Sequence, residues 1–186
     1  MDAPKLFIIA GCNGAGKTTA SFTVLPEIFG CSNFVNADEI AHGLSPLSPG
    51  HVAIDAGRIM LKRIDKLLAQ RMTFAIETTL ATRSYRALVE KAHKLGYVVE
   101  LIYVWLCSVA LARERVARRV AEGGHDIPAH IVERRYRQGI KNLFDIFMPA
   151  VDLWTIVDNS QGLLEIVAAS EGIINHDTYK KIQAIQ

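Results

Sequence analysis

The octet Gly-Cys-Asn-Gly-Ala-Gly-Lys-Thr at residues 11–18 closes one apolar run and opens a helical pattern. It satisfies the spacing G-x-x-x-x-G-K-[ST] at every specified position, and few local structures do. A strand must end in a tight glycine turn whose successive backbone N–H groups converge as an anion nest. A helix must start at once behind it and lend its partial positive N-terminus. The expected phosphate-binding residues are Gly11, Asn13, Gly14, Ala15, Gly16, Lys17, Thr18 and Thr19. Lys17 would reach the β- and γ-phosphates and the Thr18 hydroxyl would hold Mg²⁺. A dinucleotide-binding loop is the rival, but this turn spells G-x-x-G-x-G and Lys17 follows immediately. The motif implies a nucleoside triphosphate with Mg²⁺ and leaves the reaction open.

Five strand-like runs, 5–11, 33–37, 73–78, 98–107 and 153–159, alternate with segments whose apolar residues recur every three or four positions. Examples are 51–70 and 82–96, the latter closed by Gly96 as a C-terminal cap. Most of the runs are continuously apolar, as strands covered on both faces require. The expected fold is therefore α/β: a doubly wound, mainly parallel five-stranded sheet of the P-loop NTPase kind. At 186 residues the chain is read as a single domain, 1–186, able to bury a core without staples. The Pro/Gly/Ser-rich stretch 42–50 is expected as a loop above the sheet edge.

Composition excludes several classes. Hydrophobic residues at 50% and charged residues at 22% argue against disorder, and a net charge of +2 is too small to imply nucleic-acid binding. No apolar run approaches the ~20 residues of a membrane span. The N-terminus has neither a basic segment nor a cleavage site of a secretory signal. Cys12, Cys31 and Cys107 are odd in number and lack metal-ligand spacing, so three reduced thiols and a cytoplasmic location are expected.

In open parallel sheets ligands bind beyond the carboxyl ends of the strands. That rule selects Asp38 and Glu77, which follow or end strand runs. A carboxylate there could accept a hydroxyl proton or orient metal and substrate. Asp38 also reads as the N-cap of a short helix. Glu77 ends a buried apolar run, which is costly unless something pairs with it. Residues 109–147 read as two helices joined by a Gly-rich turn containing His125, expected as a loop or capping residue. Val109, Ala112, Val116 and Val120 form one apolar stripe, and Val132, Tyr136, Ile140, Leu143 and Phe147 another. Arg115, Arg118, Arg119 and Arg135 lie on adjoining faces, so this basic hairpin is expected to act as a helical lid over phosphate.

The segments GCNGAGKTT, NADEIA, FAIETTL, YVWL and the arginine-rich stretch 113–136 resemble, in order, the zeta-toxin family of P-loop kinases. The resemblance covers most of residues 5–160. It implies a nucleotide-kinase-like fold, ATP and Mg²⁺, and transfer of phosphate to the 3′-hydroxyl of UDP-N-acetylglucosamine. It also implies a small antitoxin as partner. On this resemblance Lys17 and Thr18 keep their P-loop roles, Asp38 becomes the base that activates the acceptor hydroxyl, and Glu77 and Thr79 face the sugar. Arg119 and Arg135 become the lid arginines, with Arg115, Arg118 and Arg134 as rivals in register. Two positions depart from the family pattern. Leu61 stands near the place of a second glutamate, and Ala81 stands where an arginine is common, with Arg83 two residues on as the substrate-facing substitute. Other hydroxyl acceptors, such as a nucleoside, an antibiotic or an RNA end, and a nucleotide-switched binding module without an acceptor, are the competing functions.

Overall fold

A computed structural model describes residues 3–124 and 126–185; His125 lies outside the described residues. The chain runs β1 (Lys5–Ala10), α1 (Lys17–Glu27), β2 (Phe34–Val35), α2 (Ala37–Leu44), a 3₁₀ turn (Pro49–Val52) and α3 (Ala53–Ala69). It continues through β3 (Phe74–Thr78), α4 (Tyr85–Lys94), β4 (Val98–Trp105), α5 (Val109–Ala121), α6 (Ala129–Asn142) and a π-helical turn (Leu143–Phe147). It ends with β5 (Leu153–Asp158), β6 (Glu165–Ala169), β7 (Gly172–Ile173) and α7 (His176–Gln183). The sheet order is β2-β3-β1-β4-β5-β6-β7. The first five strands are parallel, and β6 and β7 add antiparallel at one edge.

β1 sits between β3 and β4 and is buried on both faces. Leu6, Ile8 and Ala10 join the main core with α3, α4, α5 and α6, while Phe7 and Ile9 pack with Leu25 and Cys31 on the other side. That period-two division is why the run is apolar throughout. β6 and β7 were not expected from the sequence. Their apolar run is short, Ile166 is exposed, and β7 has only two residues, so the alternation that marks a strand is barely developed. Among the described residues no helix is long and apolar enough to cross a membrane.

The helical hairpin is anchored rather than free-standing. Val132, Tyr136, Ile140, Leu143 and Phe147 are all buried in the main core. Ala112 and Val116 of α5 are buried there too, with Val109 packed at its margin. On α6 the next face carries Arg135, Gly139 and Asn142 at helical spacing. Asn142 is 1% exposed, accepts from Gln138 at 2.8 Å, and donates to the Leu80 carbonyl at 2.7 Å. Leu80 itself takes φ +57°, a conformation a leucine avoids unless its surroundings enforce it.

Gly139 explains how the helix comes so close to that turn. A Cβ there would stand 2.7 Å from the Thr79 carbonyl and 3.1 Å from the Tyr103 hydroxyl. A glycine-to-alanine change inside a helix is ordinarily stabilising by about 1 kcal/mol. Here the clash reverses the sign. Gly139→Ala is expected to destabilise the protein by about 1–3 kcal/mol, read as a lower midpoint in urea unfolding; an unchanged or higher midpoint would contradict this packing.

Candidate active site

A cleft of about 660 Å³ opens beyond the carboxyl ends of the parallel strands. Its walls bring together the P-loop, the start of α2, the tip of β3 with the turn after it, and the inner faces of α5 and α6. Gly11, Gly14 and Gly16 all have positive φ, at 140°, 81° and 86°, and Ala15 is fully buried beneath the turn. Asn13, Gly14, Gly16, Lys17, Thr18 and Thr19 line the cleft, and α1 begins at Lys17.

Glu77 organises the floor. β3 pairs in parallel with β1, which puts Glu77 beside Ile9 and within reach of the start of α1. One carboxylate oxygen accepts from the Thr18 hydroxyl at 2.8 Å and from Asn36 Nδ2 at 3.0 Å. The other lies 3.6 Å from Lys17 Nζ, with both side chains at least nine-tenths buried. Lys17 Nζ also donates to the Cys12 carbonyl at 2.9 Å. The buried carboxylate is thus matched by one cation and two neutral donors, which is what burial of a charge demands. Glu77 was expected to face a sugar; its carboxylate is engaged with the P-loop lysine and threonine.

Asp38 is not the cap of α2. β2 ends after Val35, so the helix starts at Ala37 and the capping residue is Asn36, whose Oδ1 accepts from the Asp38 N–H at 2.8 Å. Asp38 falls in the first turn and lines the cleft. Across from it, Arg135 Nη1 donates to Asn13 Oδ1 at 3.1 Å. Burial lowers the pKa of the Arg135 guanidinium, and the negative charge of Asp38 opposes that shift. Both residues line the same cleft.

The remaining arginines separate by what they touch. Arg115 donates through Nη2 to the carbonyls of Asn159 and Ser160 at 2.9 and 3.0 Å. Arg118 and Arg119 are exposed and line the rim, Arg119 against Gly124. Arg134 is exposed and is not among the residues lining the cleft. Thr79 lines it together with Thr78, Thr82 and Tyr85, whereas Arg83 is exposed and is not among its lining residues. Leu61 is 61% exposed on α3 and also stands outside the lining.

Several lining residues escaped the sequence reading, Asn36, Asn159 and Tyr85 among them. Asn36 could have been found from the pattern Asn36-x-x-Glu39, which marks a helix start as well as Asp38 does. Asn159 follows β5 and falls under the same strand-tip rule as Asp38. Tyr85 opens a helix and carries no comparable signal.

A glycine turn with buried lysine, a threonine hydroxyl and facing acid and arginine define a P-loop phosphate-binding site of the nucleotide-kinase kind. Residues 1–161 match the Zeta toxin family, and the chain belongs to it. An uncharacterized protein of Haemophilus influenzae is 30% identical over 132 residues, covering 71% of this chain and 92% of that protein. The crystal structure of AvrRxo1-ORF1:AvrRxo1-ORF2 with ATP matches with a TM-score of 0.81 at 18% identity, over 98% of this chain and 64% of that one. The chain thus spans 64% of the length of that structure. The PezAT chromosomal toxin-antitoxin system of Streptococcus pneumoniae matches with a TM-score of 0.74 at 18% identity, over 100% of this chain and 79% of that one.

The loop's own thiol offers a check on this geometry. Burial pushes the Cys12 pKa up to about 11, with Lys17 and then a backbone hydrogen bond and Arg115 acting against it, and burial also raises that of Cys31. At pH 8 only about one Cys12 in a thousand would carry the reactive thiolate. Exposed Cys107 is therefore expected to be alkylated first by iodoacetamide, with Cys12 and Cys31 reacting only after denaturation. Peptide mass mapping reads the order, and rapid native labelling of Cys12 would contradict the buried loop.

Proposed function

We propose that the chain is an ATP-dependent phosphotransferase that phosphorylates a hydroxyl group. The observation that supports this most directly is the convergence of Asp38 and Arg135 on one cleft with the P-loop, Arg135 being hydrogen-bonded to the loop residue Asn13. A cradle alone would bind a nucleotide; an acid facing an arginine over that cradle suits transfer.

The loop amides and Lys17 would bind the β- and γ-phosphates. Asp38 would accept the proton of the acceptor hydroxyl while the oxygen of that hydroxyl forms a bond to the γ-phosphorus. The bond from that phosphorus to the β,γ-bridging oxygen breaks, and ADP carries the electron pair away. Arg135 and the rim residue Arg119 would stabilise negative charge on the transferring group. Thr18 and Glu77 offer a hydroxyl and a carboxylate 2.8 Å apart at the cleft floor, a hard-oxygen set suited to Mg²⁺. When bound, the metal supplies neutralisation of phosphate charge. Among the described residues no group of three or more His, Cys, Asp or Glu could hold a metal ion.

For the acceptor, membership of the zeta-toxin family supports the 3′-hydroxyl of UDP-N-acetylglucosamine, and Thr79, Thr82 and Tyr85 are the groups of the cleft that would meet it. The likeness to the PezAT toxin-antitoxin structure supports a small antitoxin as partner.

Asp38→Asn is expected to keep ATP affinity near that of the wild type and to lower phosphate transfer by about 10²–10⁴-fold. Lys17→Ala is expected to lose ATP binding itself. Transfer from labelled ATP into a panel of sugar nucleotides, nucleosides, hydroxylated antibiotics and RNA ends identifies the acceptor. Full transfer by Asp38→Asn overturns its role as base, and transfer to another class with none to UDP-N-acetylglucosamine overturns that acceptor.

Glu77→Gln should raise the Mg²⁺ concentration needed for half-maximal ATP binding and should also lower Tm, because it leaves Lys17 buried without its counter-charge. An identical Mg²⁺ dependence would remove Glu77 from the metal site.

A further inference from the structure

The P-loop is braced by a residue far from it in sequence. Asn159 stands just beyond β5 and is 9% exposed. Its backbone N–H donates to the Trp105 carbonyl at 3.0 Å, which ties it to the end of β4. Its carbonyl accepts from Arg115 at 2.9 Å. With the residue held at both backbone groups, its side-chain Nδ2 donates to the Ala15 carbonyl at 2.8 Å. A Cβ on Gly16 would stand 2.5 Å from that same nitrogen, so the glycine is required there by Asn159 as well as by its φ of +86°.

The consequence follows from peptide geometry. In a planar trans peptide the carbonyl of one residue and the N–H of the next point in opposite directions. Fixing the Ala15 carbonyl on Asn159 therefore fixes the direction of the Gly16 N–H, one of the donors of the anion nest. We propose that Asn159 is a positioning residue of the phosphate cradle, setting the Ala15–Gly16 peptide plane and through it the affinity for a triphosphate chain. This rests on reading the cleft as an ATP site. Asn159 touches no phosphate in this role; it acts through the loop, and it should matter equally for ligands with and without a nucleoside.

The test is calorimetric titration of the full chain, in Mg²⁺, with ATP and separately with inorganic tripolyphosphate. Asn159→Ala and Asn159→Asp both remove the donor to Ala15, and Asp keeps the side-chain shape should Ala fold poorly. Both are expected to bind both ligands about tenfold or more weakly, the cost of leaving a buried acceptor unpaired. Asn175→Ala serves as the control for stability. It removes the side chain that accepts from Thr178 at the start of α7, away from the cleft, and should lower Tm with wild-type affinity retained. Unchanged affinity in both Asn159 variants overturns the proposal. So does a loss for ATP alone, which would move Asn159 to the nucleoside, or an equal loss in Asn175→Ala, which would make affinity follow stability. A wild-type chain that binds neither ligand overturns the ATP reading itself, and the proposal with it.

Discussion

The buried contact of Glu77 with Lys17, Thr18 and Asn36 is the interaction on which the site depends. Three segments meet there: the start of α1, the junction of β2 with α2, and the tip of β3. None of them is joined to another by a short connection, so the carboxylate fixes their relative placement. A carboxylate and an ammonium so deeply buried hold together only as a set. Removing one partner from such a pair costs roughly 3–5 kcal/mol, because the other charge is left without compensation. Asn36 extends the set into α2, since the same side chain that donates to Glu77 also caps the helix carrying Asp38. The position of the acid facing the cleft is therefore coupled, through one asparagine, to the lysine of the phosphate loop.

α6 performs a second coupling of this sort. One stripe of the helix is core, with Val132, Tyr136 and Ile140 buried. The adjoining stripe places Arg135 on Asn13, Gly139 under Thr79, and Asn142 on the Leu80 carbonyl. Arg135 thus touches the phosphate loop, while Gly139 and Asn142 hold the turn that brings Thr79 and Thr82 to the cleft wall. The positive φ of Leu80 persists because its carbonyl is claimed by a fully buried amide, a local strain supported by tertiary contact.

Much of this was legible in the sequence where a local rule had a physical cause. The octet 11–18 demands a strand before it, a turn within it and a helix from its end, and they are present. The tips of parallel strands select Asp38 and Glu77, and both border the cleft. The reading weakened where two residues compete for one geometric role. Asn36 and Asp38 are both good caps, and the choice depends on where β2 stops pairing with β3, which is at Val35. Asn159 and Ala15 meet across 144 positions of sequence, so no pattern within either segment announces their bond. Leu80 shows no preference that would reveal its backbone. β6 and β7 are edge strands with little apolar alternation, added after the sheet that the sequence describes is already complete.

The arginines illustrate how burial converts a cluster into distinct roles. Swinging the hairpin away as a unit would expose Val132, Tyr136 and Ile140, at a cost of roughly 1.5–3 kcal/mol for each large apolar side chain. That penalty keeps the base of α6, with Arg135, at a fixed distance from the P-loop. Arg115 is likewise held by two backbone carbonyls beyond β5, where it supports Asn159. Arg118 and Arg119 stand exposed near the tip of α5, outside the core. Half-buried Arg115 and Arg135 are thus held by hydrogen bonds before a triphosphate arrives, whereas Arg118 and Arg119 lie at the exposed rim of the cleft. The division follows from which arginines meet a fixed acceptor: Arg115 reaches the carbonyls after β5 and Arg135 reaches Asn13, whereas Arg113 and Arg137, each one position from a core residue, stay exposed.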